Sequence, residues 1–232
     1  MNLNIVIPAA GNGRRFEEIG WAIPKPMISI KGKPLIQLVY ENLNIKANYI
    51  VILQKQHCRG NFFINYLKLL IPNVNIILLD EVTEGAVCTI LKAKEFINND
   101  TPLLISNCDQ LNICNLEKDL TDLINVDGCI WCMKQTGKQF SYAKTDKNGY
   151  VIDVKEKIVI SNDATAGWYH WSKGKYFVES ATKLIENNDR TNNEFYVAPT
   201  YNYMIPEHKI VIKQVEQNIE LGTPEAVLKY AS

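Results

Sequence analysis

Residues 4–27 read NIVIPAAGNGRRFEEIGWAIPKPM. The apolar run over residues 4–9 has the length of a strand, and it delivers the chain into a turn built on Gly11 and Gly13. Glycine permits positive φ and lets backbone N–H groups approach a phosphate closely. A plain tight turn after a strand uses the same residue, so the two glycines alone leave both readings open. Their surroundings separate the nucleotide classes. A dinucleotide fingerprint places a third small residue three positions after the second glycine and runs straight into a helix. That position is Phe16, and Pro24 and Pro26 would break a helix continuing through the segment. No Gly-Lys-Ser or Gly-Lys-Thr occurs, so the phosphate loop of ATPases is absent. Arg14, Arg15 and Lys25 instead gather positive charge around the loop. Arginine offers phosphate oxygens a planar fork, and lysine a point charge. This combination suits a nucleoside triphosphate and disfavours NAD.

Outward from this stretch, strand-length apolar runs alternate with helical patterns. Strands are predicted at 4–9, 49–54, 75–80 and 102–107, with helices at about 34–44, 60–70 and 86–97 between them. Runs apolar on both faces suit parallel strands buried between helical layers, with ligands at their carboxyl ends. After residue 125 the rhythm changes. CIWCMK (129–134), SYAKTD (141–146), YVIDVKEK (150–157) and GWYHWS (167–172) read as closely spaced strands, with DKNG (146–149) as a turn. Helices are predicted at about 174–188 and around 194–204, then a strand at 208–215 and a short helix from Pro224. The fold class is α/β: a Rossmann-like mixed, mostly parallel sheet with helices on both faces. A single domain over 1–232 is expected, with a nucleotide-binding half at 1–125 and an acceptor-binding half at 126–232.

Composition sets the outer limits. The 232 residues carry a formal net charge of zero, with 47% apolar and 22% charged residues, ordinary for a globular protein with a substantial core. A nucleic-acid surface normally shows as a basic excess, so no nucleic-acid partner is expected. No apolar run has the length of a membrane span, and residues 1–4 do not begin like a signal peptide. The expectation is a cytoplasmic protein with no membrane partner. Six cysteines fit a reducing compartment. Cys129 and Cys132 form a CxxC, but within a strand they point to opposite faces, which makes them structural thiols. His170 has no evident partner and reads as structural.

PAAGNGRRF (8–16) followed by PKPMISIKGKPLI (24–36) resembles the signature of nucleotidylyltransferases that make sugar nucleotides and related activated compounds. The resemblance implies the nucleotide-diphospho-sugar transferase fold. It also implies a loop of Ala10, Gly11 and Gly13 wrapped around the triphosphate, with Arg15 aiding departure of pyrophosphate and Lys25 contacting the phosphates. One residue departs from the pattern: relatives carry Ser or Thr where this chain has Arg14.

Further segments follow the family's order. Gly85 and Ala86, in DEVTEGAVCT (80–89), read as a turn and helix start; the resemblance implies contact with the base. Asp109, after the strand at 102–107, reads either as a helix cap or as a Mg²⁺ ligand, since that cation takes carboxylate oxygens and bridges substrate phosphates. The resemblance implies the metal. Glu156 and Lys157 read as an exposed pair of alternating charge or, by resemblance, as acceptor contacts. Gly167 would begin a segment that covers the acceptor. Glu194 and Tyr196 either pack a helix or contact the acceptor. Glu220, where many relatives have Asp, would be the second Mg²⁺ ligand.

The reaction implied is nucleotidyl transfer from an NTP to a small phosphorylated acceptor, with release of pyrophosphate. At 232 residues the chain is short beside many hexose-1-phosphate members. DEVTEGAVCT, NEFYVAPTYN and LGTPEA look most like proteins of bacterial capsule and lipopolysaccharide loci. CTP is therefore the favoured donor, with phosphoglutamine or a sugar phosphate as acceptor. Two rivals remain: a nucleotide-sugar-dependent glycosyltransferase, which would usually show a paired Asp-x-Asp where Asp109 stands alone, and a non-catalytic nucleotide-binding regulatory protein. Relatives form dimers or tetramers, so the resemblance allows a homo-oligomer, though the sequence carries no interface signal.

Overall fold

A computed structural model describes residues 2–58 and 60–232. The first half runs β1 (Asn4–Ala9), α1 (Arg14–Glu17), the hairpin β2 (Ser29–Ile30) and β3 (Lys33–Pro34), α2 (Leu35–Leu43), β4 (Asn48–Gln54), α3 (Phe62–Leu70) and β5 (Asn75–Leu79). It continues through α4 (Ala86–Ile90), α5 (Lys94–Ile97), β6 (Leu103–Ser106), β7 (Gln110–Ile113) and α6 (Leu116–Thr121). The second half holds β8 (Gly128–Lys134), β9 (Ser141–Thr145), β10 (Val151–Glu156), β11 (Asp163–Trp171), α7 (Gly174–Glu186), β12 (Ile210–Gln214), β13 (Gln217–Glu220) and α8 (Pro224–Ala231).

Nine strands form one mixed sheet: seven run in the order β10-β9-β11-β6-β1-β4-β5, β8 pairs with β11, and β12 pairs with β8. β1 sits between parallel β4 and β6, and its alternation shows why. Ile5 and Ile7 enter the core on one face while Val6 and Ala10 enter the core on the other. β4 repeats the division, with Tyr49, Val51 and Leu53 on the first side and Ile50 and Ile52 on the second. A strand apolar at every position has to be covered on both faces, which places it mid-sheet. The predicted antiparallel pieces are present: β11 pairs antiparallel with β6, β8 and β9, while β12 lies parallel to β8. Cys129 and Cys132 fall in opposite cores, fully buried, and burial pushes both thiols well above their ordinary pKa. His170 is likewise buried, and desolvation lowers its imidazole to about 4.

Two expectations are corrected, and one strand pair adds to them. The helix predicted at 86–97 is divided by a 3₁₀ turn at Leu91–Ala93. That turn keeps Ile90, Ala93 and Ile97 buried on one side, so apolar periodicity does not register it. The helix predicted around 194–204 is an extended segment followed by a 3₁₀ stretch over Ala198–Tyr203. Its start cannot be helical, because the N–H of Phe195 donates to the carbonyl of Glu84 at 2.9 Å and the N–H of Val87 donates to the carbonyl of Phe195 at 3.1 Å. Finally, β7 and β13 form a separate antiparallel pair that sequence reading missed. Among the described residues no helix is long and apolar enough to cross a membrane.

Ile7 is 0% exposed at the centre of the sheet. Ile7→Ala is expected to cost about 2–5 kcal/mol, read as a lower denaturation midpoint with an unchanged slope. A loss under about 1 kcal/mol would contradict a close-packed core there.

Candidate active site

The loop after β1, the turn before α4 and the segment after β6 meet at the carboxyl ends of the parallel strands. Gln54, buried at the end of β4, braces the first of these: its Nε2 donates to the carbonyl of Ala10 at 2.7 Å and to Oδ1 of Asn12 at 3.2 Å. Gly13 takes φ 65°, and a Cβ there would lie 3.4 Å from Cβ of Lys25. The Pro24-Lys25-Pro26 segment is thereby set directly against the glycine loop.

Lys25 reaches Asp109 across the site, Nζ to Oδ2 at 2.5 Å, with both side chains largely buried. Burial opposes the lysine charge, but the Asp109 carboxylate prevails and holds the ammonium above its ordinary pKa. Asp109 caps no helix. Its carbonyl accepts from the N–H of Leu221 at 2.7 Å, which draws the end of β13, with Glu220, to the same place. Burial, and then repulsion from Asp109, push the Glu220 carboxyl up, while Arg15 opposes that rise.

Two cavities open on this centre. The first, about 640 Å³, is lined by Ala10, Gly11, Gly13, Arg14, Lys25 and the Glu84–Ala86 turn. The second, about 580 Å³, is lined by Arg15, Asp109, Glu156, Lys157, Tyr196 and Glu220. Ala86 lines both, and Lys25 in the first holds Asp109 in the second. A further cavity of about 750 Å³ lies at the opposite end, by Asn48 and Asn73, and holds none of the predicted site residues. Ligands of open α/β sheets gather at the carboxyl ends instead.

The turn before α4 is held by a strap. Gly85 has φ 130°, and a Cβ there would sit 2.5 Å from the backbone N and O of Phe195. Arg190 locks the contact: its guanidinium pairs with Glu84 at 2.5 Å and lies 3.9 Å above the Phe195 ring. The same strap sends its side chains to different places. Tyr196 lines the second cavity, where its hydroxyl accepts from Nζ of Lys157 at 2.8 Å, but Glu194 lines the first.

Glu156, predicted as half of an exposed pair or as an acceptor contact, is 7% exposed and accepts from the Ser141 hydroxyl. Burial raises its carboxyl, with Ser141 and Lys157 opposing. Gly167 lines neither cavity. It occupies an irregularity in the β11–β8 pairing with φ 79°, and a Cβ there would sit 2.0 Å from Oε1 of Gln110. Its carbonyl accepts from the N–H of Asn107 at 2.8 Å, and Nδ2 of Asn107 donates to Oε1 of Gln110 at 2.8 Å. Sequence reasoning missed Asn107, Gln110 and Ser141, which line the second cavity; SNCDQ, around the singled-out Asp109, was the available signal.

Among the described residues no cluster of three or more His, Cys, Asp or Glu side chains is arranged for a metal. The protein offers two carboxylates, Asp109 and Glu220, close enough to raise the pKa of the latter. Such a donor set fits Mg²⁺, which usually binds through one or two carboxylates plus substrate phosphates and water.

A family described as "Nucleotidyl transferase" matches residues 4–229. The bifunctional protein GlmU of Methanocaldococcus jannaschii is 24% identical over 90% of this chain, which covers 48% of that protein. The chain spans about half the length, or less, of the curated relatives it matches. Among solved structures, a nucleoside-diphosphate-sugar pyrophosphorylase from Vibrio cholerae superposes with a TM-score of 0.84 at 22% identity, covering 98% of this chain and 99% of its own. A UDP-glucose pyrophosphorylase complexed with UDP-glucose gives 0.80 at 20% identity, covering 100% and 97%. These likenesses establish the shared fold.

Two outcomes follow from the geometry. Gly167→Ala forces a side chain into a left-handed backbone and onto Gln110, and is expected to lower stability by about 1–3 kcal/mol; a neutral substitution in chemical denaturation would contradict the packing. The Glu156 carboxyl is raised in the folded protein, so the folded state binds more protons than the unfolded one just above the ordinary value of 4.5. Stability from this group is complete below that pH and is lost as pH rises through the raised pKa. Glu156→Gln is expected to flatten that decline in a pH series of melting curves, and an unchanged slope would refute it.

Proposed function

The chain belongs to the nucleotidyl transferase family, and on that premise we propose that it transfers a nucleotidyl group from an NTP to a small phosphorylated acceptor, releasing pyrophosphate. The observation that carries this reading is the Lys25–Asp109 pair at the junction of the two cavities. One cavity carries the glycine loop and the other carries polar groups suited to an acceptor, so the reacting phosphorus would lie between them.

An oxygen of the acceptor phosphate forms the new bond to the α-phosphorus, and the bond from that phosphorus to the bridging oxygen of pyrophosphate breaks. The attacking oxygen is already an anion, so neither a protein nucleophile nor a general base is required. Catalysis then rests on holding two anions in line and offsetting their repulsion. Ala10, Gly11 and Gly13 would wrap the triphosphate, Gly85 and Ala86 would lie against the base, and Lys25 and Arg15 would stabilise charge passing to pyrophosphate. Asp109 and Glu220 would hold Mg²⁺, which supplies positive charge to the phosphates when bound. Glu156, Lys157 and Tyr196 would hold the acceptor, with Gly167 supporting the wall behind it. Glu194, on the nucleotide side, would reach the acceptor only across the junction.

We favour CTP as donor and phosphoglutamine or a sugar phosphate as acceptor, in the making of capsule or another surface polysaccharide. The support for CTP and for that role is the resemblance of residues 80–89, 193–202 and 221–226 to proteins of such loci. The acceptor cavity suits either compound. Gln110, Asn107 and the Glu156 carboxylate can bond sugar hydroxyls, while Glu156 beside Lys157 can pair with the ammonium and carboxylate of an amino acid.

The test is pyrophosphate release with each NTP and Mg²⁺ against a panel of phosphorylated acceptors that includes both classes. Release should require one NTP and one acceptor together, and Lys25→Ala or Asp109→Ala should lower the rate by roughly 10²–10³, the scale of a lost transition-state donor. No release with any pair would overturn the reading; full rates in both variants would overturn the residue assignments.

A further inference from the structure

We infer that Arg14, where relatives carry Ser or Thr, grips the β- and γ-phosphates of the incoming nucleotide and makes the site select triphosphates over diphosphates. The inference rests on the nucleotidyl-transfer reading and adds a binding residue to it. Arg14 and Arg15 are neighbours on a single helical turn, where consecutive side chains diverge by about 100°. They accordingly face different cavities: Arg14 lines the glycine-loop cavity, and Arg15 lines the one holding Asp109 and Glu220. Transfer divides the nucleotide between these cavities. The α-phosphorus goes toward the acceptor, and the pyrophosphate stays beside the glycine loop, with Arg14 along it and Lys25 and Arg15 at the end nearest the α-phosphorus.

Charge accounting supports the same division. Lys25 is committed to Asp109. Glu84, at the rim of the first cavity, is neutralised by Arg190. Arg15 acts on Glu220 and Glu225 in the other direction. Arg14 is exposed, and among the described residues it enters no ion pair and no side-chain hydrogen bond. Of the two cations lining this cavity, Lys25 has a counter-ion and Arg14 has none, for Glu194, which also lines it, pairs with neither; and Arg14 is the residue type whose planar fork matches phosphate. A serine or threonine at this position offers one neutral hydroxyl; the guanidinium offers charge and a two-point contact.

The experiment is isothermal calorimetry of the full chain with Mg²⁺ and CTP, CDP, CMP and inorganic pyrophosphate, in wild type, Arg14→Ser and Arg14→Lys. Melting curves verify that each variant is folded, as expected for an exposed side chain. Arg14→Ser should weaken CTP and pyrophosphate by roughly 10- to 100-fold, the worth of a charged hydrogen bond, leave CMP within about 2-fold and narrow the CTP:CDP ratio. Arg14→Lys should recover part of the loss. In turnover, KM for the nucleotide should rise far more than kcat falls, because the contact is made before as well as during transfer. CTP and pyrophosphate affinities unchanged in Arg14→Ser would overturn the inference and leave the nucleotidyl-transfer reading intact. Equal losses for CTP and CMP would also overturn it, since they would mark a general disturbance of the loop. If the wild type binds neither CTP nor any of UTP, ATP, GTP and dTTP, both readings fall.

Discussion

A lysine ammonium with little access to water has to be matched by a carboxylate, and at the centre of this molecule Lys25 is matched by Asp109. Most of the site's arrangement follows from that requirement. The lysine comes from a proline-flanked segment after β1, and the aspartate from the turn after β6, 84 residues later. Lys25 opens a single 3₁₀ turn over Lys25–Met27, and Asp109 lies in the short connection between β6 and β7. The pair fixes both, and removing either partner would strand the other's charge, which is why such pairs are expensive to break singly. Gly13 and Gly222 allow the approach. A Cβ at Gly13 would touch Cβ of Lys25, and one at Gly222 would sit 3.0 Å from Oδ2 of Asp109. The ion pair and the glycine positions around it are one constraint.

The same economy recurs at two further positions. Gly85 lets Phe195 dock its backbone onto the turn before α4, and Gly167 lets Gln110 and Asn107 lie flat against the irregularity in β11. In each case a missing side chain on one strand or turn permits a distant segment to close onto the site. The acceptor-side wall is therefore assembled from pieces far apart in sequence, and its geometry depends on backbone contacts more than on any single element. That dependence also explains why Glu194 and Tyr196, two residues apart on an extended strap, serve different cavities: alternate side chains share a face only while a strand stays flat, and the strap turns at Phe195 as it pairs with Glu84 and Val87.

What was legible in the sequence was what is encoded locally. The alternation of Ile5, Val6 and Ile7 between two cores is written in six consecutive residues, and with β4, β5 and β6 it gave the parallel half of the sheet. The glycine loop and Lys25 were visible as a cluster of glycine and positive charge after a strand, while Asp109 stayed open between a helix cap and a Mg²⁺ ligand, the resemblance implying the metal. The β7–β13 pair was not, since QLNI and QNIE are short, mixed in polarity and paired across about a hundred residues. The segment 194–204 carries aromatic residues at spacings that suit a helix, but the backbone of Phe195 is committed elsewhere. Of the two readings of Glu156, the exposed one fails although an alternating Lys-Glu-Lys run normally lies on the surface: β9 pairs beside β10 with Ser141 opposite Glu156, and the carboxyl is buried.

The neutral total charge of the chain is repeated in the site, where cations and carboxylates interleave. Arg15 and Lys25 stand beside Asp109 and Glu220, Lys157 and Glu156 share the acceptor-side cavity, and Arg14, Glu84 and Glu194 line the one at the glycine loop. Asp109 and Glu220 oppose the approach of a bare polyphosphate, and the divalent cation proposed for them would offset that opposition. Arg14 lines the other cavity and enters no ion pair among the described residues, so neither carboxylate takes up its charge. Its place in the sequence, one residue before the arginine the family pattern predicts, is what turns it toward the other cavity.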